Sequence, residues 1–288
     1  MKITFPRFLL PFTLMFPILN GCFQQSAPER LVTVSSIEDA VAIKETVEAI
    51  IIPPDNQLKS FPDRLEQFTS LRKLSLRGQK NITDVPEFTG EMPSLEVLDI
   101  AETGIKALPE SVVALSGLCH LYMSDNGMTE FPDAVLKLKN LEYLNLDRNN
   151  ITNLPEAIGN LERLKWLRLN NNKLASLPAG VEELKNLKRL YLRGNSFSAL
   201  PPAIINMAAL QQVDLGNNGI IELPEEFVQM PALERADLDG NPLVKMPEKI
   251  GEMKNLKMMT LYGTKLSADE QKRIREALPH LVKVHIAF

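Results

Sequence analysis

From about residue 47 to residue 266, apolar positions return at a fixed long interval with neither simple helical nor simple strand spacing. One stretch reads Leu141-x-x-Leu144-x-Leu146-x-x-Asn149-x-Ile151-x-x-Leu154-Pro155-x-x-Ile158-x-x-Leu161, and the next begins at Leu164. The alternation at Leu144 and Leu146 predicts a short strand whose opposite face carries Tyr143, Asn145 and Asp147. Prolines recur at Pro86, Pro109, Pro132, Pro155, Pro178, Pro201, Pro224 and Pro247, each 23 residues from the last. Asparagines keep the same step from Asn126 through Asn149, Asn172, Asn195 and Asn218 to Asn241, with Thr103 and Thr264 in the equivalent places at the two ends. Ten units are countable. The first is degenerate, with Ile50 and Ile52 in its strand and Leu58, Phe61 and Pro62 behind it; it and the second carry one extra residue. A single unit has too little apolar surface to fold alone, so the pattern predicts a stack in which each unit covers the next.

A stack needs closed ends, and both are signalled. Ser35-Ser36-Ile37-Glu38 has the spacing of a capping box and predicts a helix within 35–48, with Ala40, Val41, Ile43 and Val47 turned to the solenoid. Ser267-Ala268-Asp269-Glu270 repeats the signal, opening a C-terminal cap over 267–288 in which Ile274 and Leu278 continue an apolar stripe until Pro279. With its last unit ending at 266, the solenoid (49–266) is expected to be whole, without an appended domain.

The frame LxxLxLxxNxLxxLPxxIxxL resembles the 23-residue type of leucine-rich repeat, over roughly residues 47 to 266. The resemblance implies an α/β repeat solenoid: a horseshoe with a parallel concave β-sheet and helical N- and C-terminal caps. It also implies that the asparagines bond backbone groups between coils, and that the concave face is the surface partners use. Some bacterial members carry a large C-terminal ubiquitin-ligase domain with a nucleophilic cysteine; none is expected after the last repeat here.

The N-terminus has a different character. Lys2 and Arg7 precede an uncharged run from Phe8 to Leu19, about 12 residues, where a membrane-spanning helix needs ~20. That is a secretory signal pattern, expected over 1–21. Leu19-Asn20-Gly21-Cys22 resembles the lipobox of bacterial lipoproteins, with Asn20 bulkier than usual, and implies lipidation of Cys22, a polar tether over 22–34, and an envelope location. Phe23, in place of the aspartate that marks inner-membrane retention, points to the outer membrane. The only other cysteine is Cys119, so no disulfide framework is expected, and Cys119 reads as a lone packed thiol. Removal of residues 1–21 takes out Lys2 and Arg7 and no acid, leaving 30 basic against 36 acidic residues. That balance argues against a nucleic-acid partner.

No phosphate loop, metal signature or nucleophile motif accompanies His120, His280 or His285, so neither an enzyme nor a small-molecule cofactor is expected. The informative residues are those facing outward from the strands. All four tyrosines, Tyr122, Tyr143, Tyr191 and Tyr262, and the single Trp166 fall there, whereas Phe61, Phe131, Phe197 and Phe227 substitute for frame aliphatics and are expected in the core. Strands about 4.8 Å apart make Tyr122, Tyr143, Trp166 and Tyr191 neighbours. Charge is banded along the units: Asp99, Glu102 and Asp125, then Arg148, Arg168, Arg189 and Arg193 with Asp147 among them, then Asp214, Asp237 and Asp239. Pairing of Asp147 with Arg168, or of Arg235 with Asp237, is the alternative to an open basic centre. Tyr, Trp and Arg are the residues that anchor interfaces, so the candidate site is His120, Tyr122, Tyr143, Asp147, Arg148, Trp166, Arg168, Arg189, Tyr191 and Arg193. The expected occupant is a protein or peptide. A glycan or peptidoglycan stacked on the aromatic rings, and a secreted effector acting on host proteins, are the alternatives. Ring orientation at Trp166 and Tyr191 separates protein from sugar.

Overall fold

The computed structural model describes residues 32–43, 47–55, 57–280 and the backbone of 286–287. The signal-like segment, Cys22, most of the expected tether and His285 lie outside them. The described chain forms one open parallel sheet of twelve short strands that follow one another in chain order: β1 Thr33–Val34, β2 Ala49–Ile51, β3 Lys73–Ser75, β4 Val97–Asp99, β5 His120–Tyr122, β6 Tyr143–Asn145, β7 Trp166–Arg168, β8 Arg189–Tyr191, β9 Gln212–Asp214, β10 Arg235–Asp237, β11 Met258–Thr260 and β12 Ile286–Ala287. The ten expected units are β2 to β11. Their register, Ala49 to Lys73 to Val97 and then to His120, repeats the two longer steps followed by steps of 23.

The two outer strands were not legible in the repeat. β1 pairs with β2 and β12 with β11, so each end of the sheet gains one strand beyond the leucine frame. β1 also falls inside the stretch expected to be tether. Each outer strand is two residues long, so the edge it leaves presents a shorter row of unpaired N–H and C=O groups than a three-residue strand would. The N-terminal helix α1, Ile37–Ala42, opens one residue later than the capping-box spacing suggested: Ser36 Oγ accepts from the Asp39 N–H at 3.0 Å, and Ile37 and Ala40 are buried. At the other end Ser267 Oγ accepts from the Glu270 N–H, as the motif requires, but the Glu270 carboxylate turns to Arg273 and the Met246 N–H. Ile274 and Leu278 are buried under that helix, Ala268–Ala277.

The return path of most coils runs through a single 3-10 turn that starts directly after the repeat proline, as in Glu110–Ala114 after Pro109 and Glu156–Asn160 after Pro155, while after Pro247 the turn begins later, at Ile250–Glu252. Proline presets φ and lacks a donor that the first position of such a turn would leave unused. One coil replaces the 3-10 turn with the short α-helical turn Pro202–Ile205. Neighbouring turns pack closely enough that a Cβ on Gly180 would collide with the Glu156 carbonyl, which is why that position tolerates no side chain.

The interior is the leucine frame itself, with Leu144, Leu146, Ile151, Leu154, Ile158 and Leu161 buried, and Phe61, Phe131, Phe197 and Phe227 among them. Beside it runs the asparagine spine. Asn149 Oδ1 accepts from the backbone N–H groups of Asn126 and Met128, and its Nδ2 donates to the carbonyls of Met123 and Leu146. Asn172 and Asn241 repeat the arrangement. The chain can reverse into this spine because the residue before it is left-handed in nearly every coil, as glycine at Gly194 and Gly240 and otherwise as Glu102, Asp125, Arg148, Asn171 and Asn217.

Candidate binding face

The strand pairing lays the outward residues in rows. The row at the strand starts runs Lys73, Val97, His120, Tyr143, Trp166, Arg189, Gln212, Arg235, Met258. The row at the strand ends runs Ser75, Asp99, Tyr122, Asn145, Arg168, Tyr191, Asp214, Asp237, Thr260 by the same pairings. Two residues further on lies a third row that includes Arg77, Asp147, Asn170, Arg193 and Asp239, where the chain leaves the sheet.

The aromatic side chains do form one assembly. Tyr143 lies 4.9 Å, centroid to centroid, from Tyr122, 5.8 Å from Trp166 and 6.0 Å from the His120 ring. The Arg189 guanidinium stands 4.1 Å over the Trp166 ring, and the Arg168 guanidinium 5.1 Å over Tyr191. The members differ in what they can offer a partner. His120 is only 2% exposed and Tyr143 only 8%, so both belong to the floor and not to the contact surface. Their burial has electrostatic consequences: it lowers the His120 pKa, keeping the imidazole neutral near neutral pH, and it pushes the Tyr143 phenol up to about 12. Tyr122 is pushed up for the same reason. Trp166, Arg168, Arg189, Tyr191 and Arg193 are half-buried and reach solvent.

The basic centre expected from the sequence is corrected. Arg168 is bound to Asp147 at 2.6 Å, Arg148 to Asp125 at 2.5 Å, and Arg193 to Asp214 at 3.1 Å and also to Asp237. Arg77 in turn joins Asp99 and Glu102, each at 2.9 Å. Asp237 therefore pairs with Arg193 in place of Arg235. Asp147 is buried to 1%, and besides Arg168 its carboxylate accepts from the Asn170 N–H, so it is a structural acceptor with nothing to spare for a ligand. Arg148 sits in the left-handed turn, outside the strand rows. Cys119, expected as a packed thiol, is buried directly before β5.

What the sequence reading missed is why acids are so frequent here. At the third row the backbone N–H points away from the ladder and needs an acceptor. In some coils the residue two before supplies it, as Asp99 does for Ala101, Asn145 for Asp147, Asp214 for Gly216 and Asp237 for Asp239. In others the preceding coil supplies it, as Asp147 does for Asn170, Asn170 for Arg193 and Asp239 for Tyr262. A buried donor left without a partner is costly. The signal was present as an Asp or Asn at one of two fixed places per unit. Burial pushes the Asp99 and Asp214 carboxyls above their ordinary range, against the pull of Arg77 and Arg193.

The open parallel sheet, the asparagine spine and the proline-led return turns define a leucine-rich-repeat solenoid, and the chain is a leucine-rich-repeat protein. The family described as "Leucine-rich repeat region" matches residues 56–145 and 133–196, and that described as "Leucine rich repeat" matches 185–243. The chain is similar to a leucine-rich-repeat protein of Leptospira interrogans, at 28% identity and a TM-score of 0.74, covering 86% of this chain and 74% of that one. It shares the fold of an internalin from Listeria monocytogenes, at 20% identity and TM-score 0.67, covering 88% and 77%. It also shares the fold of a plant peptide hormone receptor solved in complex with a ligand, at 22% identity and TM-score 0.60, covering 87% of this chain but 45% of the receptor. No curated protein sequence matches the chain. The family matches indicate no catalytic domain.

Proposed function

We propose that this protein is an envelope-anchored binding module whose concave face holds a protein or peptide partner. One observation carries the choice of partner class. Sugar stacking needs an aromatic face open as a platform, whereas Trp166 has Arg189 over its ring and Tyr191 has Arg168 over its own. What remains accessible is a mosaic of ring edges and guanidinium groups, the mixture found at protein interface anchors. The repeat fold and its receptor-like neighbour support the same reading. The test is capture from envelope extracts by the native protein and by a Tyr191→Ala variant: the reading requires a partner held by the first and lost from the second, with folding unchanged. Equal capture by both would move the site off this face.

The anchor is the lipobox-like Cys22. A single acyl chain holds only marginally, while the several on a lipoprotein cysteine hold firmly. Cys22→Ser is expected to release the protein into the soluble fraction and to abolish palmitate labelling. Retention of that variant in washed membranes would refute the lipoprotein reading. With Phe23 following Cys22, the outer membrane is the proposed location.

A further inference from the structure

Of the arginines on the concave face, Arg77, Arg148, Arg168 and Arg193 are each bound to a carboxylate of this chain. Arg189 has no ion pair among the described residues; its guanidinium is laid flat on Trp166 at 4.1 Å. Stacking fixes the plane of the group and covers its face, but leaves its N–H edge available, and that edge is the part that reads a carboxylate bidentately. Its surroundings do not supply one. The strand-start row from Lys73 to Met258 contains no acid. One residue earlier in each coil the acids Glu96, Glu142 and Glu234 are present, but each is bound to a base of the adjacent coil: Arg72, Lys165 and Lys257. Lys188 and Arg235, beside Arg189 and two strands beyond it, have no ion pair among the described residues. The opposite margin is acidic. Charge on this face is therefore divided across the strands, with an uncompensated positive margin at their starts.

Resting on the concave-face reading above, we infer that Arg189, held by Trp166, receives an acidic side chain of an extended peptide segment lying along the strand-start margin, with Lys188 and Arg235 meeting further acids. A run of Asp or Glu is the source because the positive groups are spread over at least three strands, about 10 Å from Arg189 to Arg235 at the ordinary strand spacing, and a single chain terminus offers one carboxylate.

The experiment measures fluorescence anisotropy of the mature full chain with an amidated peptide in which glutamates alternate with phenylalanine and serine, against the same peptide with glutamine for glutamate and against the glutamine peptide with a free C-terminus. The expected result is that the glutamate peptide binds at least about tenfold tighter than either control, as a bidentate charged contact implies. Arg189→Gln should erase that preference while the protein still melts cooperatively near the native temperature, and Asp237→Asn should leave the preference in place. Equal binding of the three peptides, a preference for the free C-terminus alone, or a preference that survives Arg189→Gln overturns the inference. Failure here is separable from failure of the concave-face reading. An Arg189→Gln protein that still captures its envelope partner, beside a Tyr191→Ala protein that does not, rejects the carboxylate contact and keeps the face.

Discussion

The two margins of the concave sheet are made of the same three-residue strands, yet they do different work. At the strand ends the acids and arginines are engaged with their own chain: Asp147, Asn170, Asp214 and Asp239 satisfy backbone N–H groups, and the arginines there close onto carboxylates. At the strand starts Tyr143 touches His120 and Trp166, and Arg189 stands over the Trp166 ring with no ion pair among the described residues. The difference follows from backbone geometry. Within the ladder N–H and C=O groups pair with the neighbouring strand, so side chains at the starts are not needed as partners. Where the chain turns out of the sheet the ladder fails and side chains must replace it. One margin is recruited to replace the backbone ladder where it ends, and the other is not.

Substitutions can break this comparison, and their expected costs are graded. Leu146→Ala, under the centre of the sheet, sets the scale: a fully buried leucine lost from a middle coil should cost about 2–5 kcal/mol in chemical denaturation, with the loss spreading to adjacent coils. Smaller effects belong to the strand-end margin and its spine. Asn149→Ala strands buried donors and acceptors of two coils, and Asp147→Ala strands the Asn170 N–H and frees Arg168; each should lower stability by about 1–3 kcal/mol. If the margins differ as described, Trp166→Ala at the strand starts should cost less, about 1 kcal/mol for its ring and cation contacts, while reducing partner affinity by at least ~2 kcal/mol. A Trp166→Ala protein that unfolds would make the indole a packing element and erase the distinction.

The smallest effect is pH-dependent and lies in the floor of the open margin. Burial lowers the His120 pKa, with Glu142 opposing and Lys165 assisting, so the folded protein binds a proton there less readily than the unfolded chain. The contribution of His120 to stability is thus fully present above about pH 6.5 and is lost as pH falls below it. Thermal melts at about pH 7.5 and about pH 5.5 should show a larger acid-induced drop in the native protein than in His120→Gln. Identical drops would mean that His120 does not titrate differently on folding.

Much of this molecule is legible without coordinates because the repeat imposes it. The leucines, the asparagine step and the prolines specify ten coils, the parallel sheet, the spine and the proline-led turns, and they sort tyrosine and tryptophan outward from phenylalanine inward. A solenoid makes this possible: each coil meets only its neighbours, so local spacing and tertiary contact are nearly the same information. What the spacing could not decide is which side chain each outward residue meets in the next coil. Asp147, Arg148 and Arg193 looked like parts of an open charged centre, and His120 and Tyr143 like surface contacts; the sheet pairs each of the first group with an opposite charge of a neighbouring coil and turns the second into the floor. The two end strands were equally hidden, since they carry no leucine frame. Sequence alone determined the scaffold, because periodic burial is a property of the chain. The tertiary structure decided which face residues are spent on the scaffold and which are free, because that depends on ångström distances between coils 23 residues apart.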